Sequence, residues 1–90
     1  MPDEDYQRVE GVVRDVLRDV LALNAARVAD LDATTPLFGA MPELDSLAVA
    51  GVLTEIEDRL GIVIDDEDVD ADMMETFGSL TRFAAARALV

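Results

Sequence analysis

Along this chain, stretches in which apolar residues recur every three or four positions alternate with stretches in which they do not. From Asp5 to about Leu23, residues Val9, Val12, Val13, Val16, Leu17, Val20 and Leu21 keep the i, i+3, i+4, i+7 spacing of a one-sided helix. Valine forms helices less readily than leucine, but the periodicity outweighs that penalty. Asp3, Glu4 and Asp5 suit the positive end of this helix, and Glu4 with Arg8 and Glu10 with Arg14 are spaced as i, i+4 ion pairs. Asn24 through Leu44 shows no sustained period and contains Pro36, Gly39 and Pro42, so a loop of about 20 residues is predicted, longer than most loops of compact domains. Val28, Leu31, Leu37, Phe38, Met41 and Leu44 give that loop apolar anchors, which would lay it across the core with Leu31 in a short helical turn.

The most regular pattern follows, a second helix from Ser46 to Leu60 stopped by Gly61 in the usual position for a left-handed residue. Either Asp45 or Ser46 can serve as its N-cap, since each has a side-chain oxygen able to accept a free N–H of the first turn. Val49, Val52, Leu53, Ile56 and Leu60 form its buried stripe, with Ala50, Thr54, Glu57 and Asp58 outward and Leu47 less easily buried. Ile62-Val63-Ile64 is too short for a sheet strand and is read as a connector packing into the core. Asp65 to about Met73 suggests a short acidic third helix. Thr76 caps the last helix, which turns Phe77, Leu80, Phe83, Ala84 and Ala88 inward, carries Arg82 and Arg87 toward its negative end, and through Ala84-Ala85-Ala86 permits close helix approach. The pattern predicts an all-α fold: one domain, residues 1–90, forming an up-and-down four-helix bundle of three longer helices and one short one, with a long loop between the first and second. A monomer is expected.

Composition narrows what such a bundle can do. At 90 residues, roughly 60–65% of the unfolded chain's surface can be buried. The only aromatics are Tyr6, Phe38, Phe77 and Phe83, so the core must be aliphatic, with Met41, Met73 and Met74 as adaptable fillers. Twenty acids against seven bases give a formal charge of −13, which argues against nucleic-acid phosphates and for basic protein partners, though acidity alone also confers solubility. With neither Cys nor His, disulfides, thiolate metal sites and the commonest general base are excluded, and any thiol must arrive on a cofactor. Asp66, Asp68 and Asp70 mimic the start of a calcium loop, but Ala71 and Phe77 occupy its glycine and final glutamate positions, so a solvated acidic face is expected and no metal site. The start Met1-Pro2-Asp3-Glu4-Asp5 lacks the basic residues of a signal peptide and no apolar run approaches a membrane span, which makes the cytoplasm the expected location.

The chemistry converges on Ser46. All seven bases are arginine, so Ser46 has neither a histidine nor a lysine to activate it, and an enzyme is not expected. Its hydroxyl sits at a helix start, where backbone amides and the helix dipole favour negative charge and would suit an attached phosphate.

Leu44-Asp45-Ser46-Leu47, followed by the helix ending Glu55-Ile56-Glu57-Asp58-Arg59-Leu60-Gly61, resembles the acyl carrier protein family. Pro36-Leu37-Phe38, Gly61-Ile62-Val63-Ile64-Asp65-Asp66 and Thr76-Phe77-Gly78-Ser79-Leu80 extend the resemblance over most of the chain. It implies that Ser46 carries 4′-phosphopantetheine, transferred from coenzyme A by a separate phosphopantetheinyl transferase, and that acyl groups ride on the arm as thioesters. By the same resemblance Asp45 helps orient the transferase's metal and phosphate, a role compatible with capping. An acyl-loading ligase or acyltransferase and other acyl-processing enzymes of a lipid or polyketide-type pathway are the implied partners. Leu47, Ala50, Gly51, Thr54, Glu57 and Asp58 are the expected partner surface. Leu47-Ala48-Val49-Ala50-Gly51-Val52-Leu53 departs from many carriers of fatty acid synthesis in having no acid, which points to a dedicated pathway. Phe38 through Ser46 is similar to stand-alone carriers of bacterial exosortase and exopolysaccharide systems. Two alternatives stay open: a peptidyl or aminoacyl carrier, and an unmodified acidic interaction module.

Overall fold

The computed structural model describes residues 2–89. Four α-helices follow one another, α1 (Pro2–Leu21), α2 (Ala25–Ala29), α3 (Ser46–Leu60) and α4 (Phe77–Ala88), with a single 3-10 turn at Asp66–Asp68. Three are long and one short, as the pattern predicts, but the short one lies elsewhere. It falls within the predicted loop, where Asn24 Oδ1 accepts the Arg27 N–H at 2.9 Å and caps an alanine-rich turn. The expected third helix from Asp65 to Met73 contracts to the 3-10 turn. Six acids and no base occupy 65–72, so a full helix would set Asp66 against Asp70 and Asp68 against Asp72 with nothing to offset the repulsion.

Helix α1 ends two residues sooner than predicted. Ala22 takes a left-handed φ of 55°, which lets the Leu23 N–H reach back to the Arg18 carbonyl at 3.1 Å and buries the Leu23 side chain. Gly61, at φ 66°, performs the same reversal at the end of α3, with Ile62 N–H on the Glu57 carbonyl. Of the expected α1 ion pairs, Glu10–Arg14 forms at 3.1 Å, whereas Glu4–Arg8 is not among those of the described residues. The Asp3 side chain lies outside the described residues.

Helix α1 is the central post, with α3 and α4 both packed against it. Val9, Val13, Val16 and Leu17 are fully buried there, in one core with Val52 and Ile56 of α3 and Leu80 and Ala84 of α4. Val49 and Leu60 at the margins of the predicted α3 stripe are only partly buried, as is Phe83 on α4. Leu31, Leu37, Met41 and Leu44 cover one end of this core, so the long crossover does lie across the bundle. Arg14 fastens it: Nη1 donates to the Val28 carbonyl at 2.6 Å, and the guanidinium lies 5.0 Å from the Phe77 ring centroid.

Two anchors behave otherwise than expected. Phe38 is 50% exposed, and Val63 is 73% exposed while Ile62 and Ile64 on either side are partly buried, so the connector after α3 alternates instead of sinking into the core. The two long connections pair along a short antiparallel ribbon. Leu37 and Phe38 N–H donate to Glu75 and Met74 carbonyls, and Phe77 and Gly78 N–H donate to Thr35 and Ala33 carbonyls. The last contact requires glycine at 78, because a Cβ there would stand 2.6 Å from the Ala33 carbonyl oxygen. Thr76 caps α4 through a reciprocal box with Ser79, and buried Thr81 donates to the Phe77 carbonyl. Among the described residues no helix is long and apolar enough to cross a membrane.

Candidate functional site

The chain reaches Ser46 from a fixed approach. Glu43 accepts from both Nη atoms of Arg27 on α2, and Leu44 is buried, so the loop is pinned one residue before the polar step. Asp45 then turns extended (φ −93°, ψ −178°) and is the N-cap of α3, settling the choice between it and Ser46. Its Oδ1 accepts the Ala48 N–H at 2.8 Å and its carbonyl accepts the Val49 N–H at 2.9 Å. The Ser46 and Leu47 amides have no acceptor among the described residues, and the Ser46 side chain is exposed. The arrangement therefore presents a hydroxyl, two unsatisfied N–H groups and the positive end of a 15-residue helix at one spot.

Two open grooves flank α3 from this point. One, of about 420 Å³, starts at Ser46 and runs between α3 and the connector, lined by Val49, Leu53, Thr54 and Glu57 on one side and Ile64, Asp66 and Val69 on the other. Val49 and Val69 also line an apolar extension of about 280 Å³ that ends at Phe38, Ala71 and Met74. The other groove, of about 550 Å³, lies between α3 and α1 and takes in Leu47, Gly51, Thr54 and Glu55 with Asp19 and Val20. Ala50 and Thr54 line both of the larger grooves and so form the ridge between them.

The candidate partner residues separate on this geometry. Leu47 is 82% exposed, Ala50, Thr54 and Asp58 are exposed, and Gly51 is partly covered by Val20. Glu57 is not outward as predicted: it is half-buried, and its Oε2 accepts the Ile64 N–H at 2.8 Å. On the α1 side, Arg59 joins Asp19 at 2.8 Å and Glu55 at 3.1 Å. Hydrogen bonds from Arg18 first and Arg59 second hold the Asp19 carboxyl below its ordinary range. In the crossover the Thr34 hydroxyl and N–H, helped by Thr35, do the same for Asp32.

Sequence reasoning did not place Ile64, Val69 and Phe38 around a groove, although it offered Met74 as an adaptable filler. Ile64 and Val69 stand five apart, a spacing with no helical or strand signature, and their side chains meet α3 only because the ends of the connector are fixed elsewhere. The acids that mimic a calcium loop are used locally: Asp68 pairs with Arg87 at 2.6 Å and Asp70 accepts the Met73 N–H at 2.8 Å.

Residues 11–84 match the family described as phosphopantetheine attachment site. Among solved structures the chain is similar to the holo acyl carrier protein of Nitrosomonas europaea, determined by solution NMR, with 41% identity over 89% of this chain and 94% of that one and a TM-score of 0.78. Among curated proteins none matches.

Proposed function

Since the chain belongs to the phosphopantetheine attachment family, we propose that it is an acyl carrier protein whose single domain, residues 1–90, takes its 4′-phosphopantetheine arm on Ser46. The observation that carries this reading is the exposed Ser46 hydroxyl at the start of α3, beside two unsatisfied amides and at the mouth of a groove. That donor set fits a phosphodiester, which needs anion-favouring N–H groups and no buried charge partner.

Attachment makes the protein a substrate. Ser46 Oγ attacks the β-phosphorus of coenzyme A, the bond to the 3′,5′-ADP portion breaks, and the hydroxyl proton passes to a base of the phosphopantetheinyl transferase. Asp45 contributes twice. Its Oδ1 holds the helix start rigid, while Oδ2, which accepts no hydrogen bond among the described residues, is available to the transferase's metal. Once attached, the arm supplies the thiol that this cysteine-free chain lacks and carries acyl groups as thioesters. The protein's own part is then to orient the arm from a rigid helix end, offer Val49, Leu53, Ile64 and Val69 as apolar shelter, and present a surface to enzymes.

Family membership implies a phosphopantetheinyl transferase and acyl-processing enzymes as partners. Within that class, we propose a loading ligase or acyltransferase that reads Leu47, Ala50, Gly51 and Thr54, with Asp58 at the rim. The acid-free first turns of α3 favour a dedicated pathway over general fatty acid synthesis, and the exosortase or exopolysaccharide-associated type is the subtype we propose.

The test is incubation with coenzyme A, magnesium and a broad-specificity transferase, followed by intact-mass measurement. The wild type should gain one 4′-phosphopantetheine and Ser46→Ala none. A wild type left unmodified by several competent transferases counts against the carrier, and modification of the alanine variant rules out this residue. Loading of the holo protein by an amino-acid-activating enzyme, but by no acyl ligase, would turn the reading toward an aminoacyl carrier.

A further inference from the structure

The groove beside Ser46 has one helical wall and one that is not. The second wall, residues 63–72, holds only the 3-10 turn, and its backbone hydrogen bonds are local: Asp68 N–H to the Asp65 carbonyl, Val69 N–H to that of Asp66, and the Glu75 N–H to that of Asp72. Its ends are fixed, at Gly61-Ile62 by the reversal after α3 and at Met74-Glu75 by the ribbon to Leu37 and Phe38. Between those ends, no backbone–backbone bond among the described residues reaches a helix. Within residues 63–72 two side-chain ties do, and just beyond them the Ser79 hydroxyl of α4 donates to the Met73 carbonyl at 2.8 Å. Glu57 on α3 accepts the Ile64 N–H at 2.8 Å, and Arg87 on α4 pairs with Asp68 at 2.6 Å. Arg87 is itself steadied by the Phe83 ring, 5.3 Å from its guanidinium carbon.

The six acids of this wall repel one another, with no base among residues 63–72 to offset them. A segment with few backbone bonds, partly exposed apolar residues and unbalanced charge belongs to the low-stability end of a fold. What keeps it against the core is Ile64, Val69 and Met73, the last also held by Ser79 of α4, together with the two ties.

We propose that Glu57 and the Arg87–Asp68 pair are positioning residues that hold residues 63–72 as the closing wall of the Ser46 groove, and so determine how large an acyl group the groove shelters. The proposal rests on Ser46 as the attachment site. It assigns Glu57 a role other than charge steering of partners: the carboxylate works as a hydrogen-bond acceptor toward its own chain. Glutamine retains an acceptor oxygen and abolishes the charge, whereas alanine removes both, so the two substitutions separate the roles.

The first measurement is amide hydrogen exchange on the unmodified 90-residue chain. In Glu57→Ala the Ile64 amide should exchange roughly tenfold faster or more, as expected for losing a hydrogen bond to a charged acceptor. Glu57→Gln should recover most of that protection. Arg87→Gln should accelerate residues 66–69 by a few-fold, in keeping with a part-exposed pair. The Leu17 and Ile56 amides of α1 and α3 serve as reference and should hold. Unchanged Ile64 exchange in Glu57→Ala, a glutamine variant as fast as alanine, or equal acceleration of the reference amides would each overturn the tie. The second measurement loads octanoyl-phosphopantetheine onto each variant and follows thioester cleavage by hydroxylamine. Glu57→Ala and Arg87→Gln should be cleaved several-fold faster than wild type, with Glu57→Gln close to wild type. Equal rates overturn control of the cargo space. A chain that accepts no arm sinks the Ser46 reading and the cargo half of this one, while the exchange data still decide whether the ties exist.

Discussion

On one flank α3 meets a helix, and on the other it meets a segment that has almost none. Toward α1 the contact is so close that a Cβ on Gly51 would come within 3.3 Å of a Val20 methyl, and the Arg59–Asp19 pair ties the two helices at 2.8 Å. Toward the connector, α3 has only the Glu57–Ile64 hydrogen bond and a few partly buried aliphatics, with the Arg87–Asp68 pair holding the same segment from α4. Both flanks carry a groove, yet only the connector-side groove reaches Ser46. The difference teaches where adaptability resides. A carrier that shelters cargo of variable size needs one wall that can give, and it needs the opposite flank to keep the attachment point and partner surface in register.

The comparison breaks hardest at Gly78. This residue lies in the ribbon that fixes the far end of the soft wall, and an added Cβ would meet Ala33 backbone atoms at 2.6 and 3.0 Å. Backbone cannot rotate aside as a side chain does, so Gly78→Ala should destabilise the fold by about 3 kcal/mol, at the upper end for overpacking. Urea unfolding would give that value, and amide exchange should rise first in residues 63–72. A loss below about 0.5 kcal/mol would show that the ribbon yields, and that the connector is not anchored where its backbone bonds suggest.

The same contrast explains what was legible in the sequence. Helix α3 could be bounded at both ends because Asp45 and Gly61 each satisfy a specific backbone need at its termini, and Thr76 did as much for the start of α4. The α1 stripe was legible because one face buries five of its seven apolar residues fully or nearly so. Residues 65–73 misled because Val69 and Met73 are spaced as on a helix, while the acids between them oppose one and Asp70 bonds to the Met73 N–H locally instead. The short helical turn of the crossover was expected at Leu31 and lies just before it, as α2, because five residues are too few to show a period, although Asn24 before Ala25-Ala26 was a usable cap signal. Ser46 was visible from its local setting, but the groove beside it was not. That groove depends on the pairing of residues 33–38 with 74–78, which leaves no periodic trace.

Charge separates the flanks more gently. Between about 0.01 and 0.15 M salt the Debye length falls from about 30 to 8 Å, which weakens repulsion within the −13 chain and above all within 65–72. At pH 7 we expect a rise in Tm of about 5 °C over that range, on the order of 1 kcal/mol for a domain of this size, with millimolar magnesium acting in the same direction. Melting curves that stay flat would remove self-repulsion as a significant effect. Acid tests the other flank. The folded pKa of Asp19 lies below its unfolded value, so its stabilising effect is complete above the unfolded value of about 3.9 and is lost as pH falls through the folded one. Asp19→Asn should make the acid limb of the stability curve less steep, and an NMR titration should find the Asp19 midpoint below the ordinary range. A midpoint at the ordinary value would mean that the Arg18 and Arg59 contacts do not persist in solution.

The smallest change in stability, and the sharpest use of the comparison, is expected at Gly51. A glycine within a helix costs about 1 kcal/mol relative to alanine, so its presence in the middle of α3 calls for a compensating reason. Packing supplies part of one, since the new Cβ would press on Val20 Cγ1 at 3.3 Å. That neighbour is a side-chain methyl on a partly buried residue and can give by a few tenths of an ångström. The two effects nearly cancel, and Gly51→Ala should be stabilised by no more than about 0.5 kcal/mol. The substitution also fills the floor of the α1–α3 groove next to Leu47, on the flank proposed to meet the loading enzyme. Loading of the holo protein should therefore slow several-fold although the fold is intact, as it should for Leu47→Ala, and both variants should lose more than Asp58→Asn, because apolar contacts near the attachment point resist dissociation while a rim charge mainly sets the association rate. Unfolding curves and loading kinetics on the same preparations decide the matter. If Gly51→Ala and Leu47→Ala load at the wild-type rate while Asp58→Asn fails, the rigid flank is scaffold alone and partners dock through the acids around it.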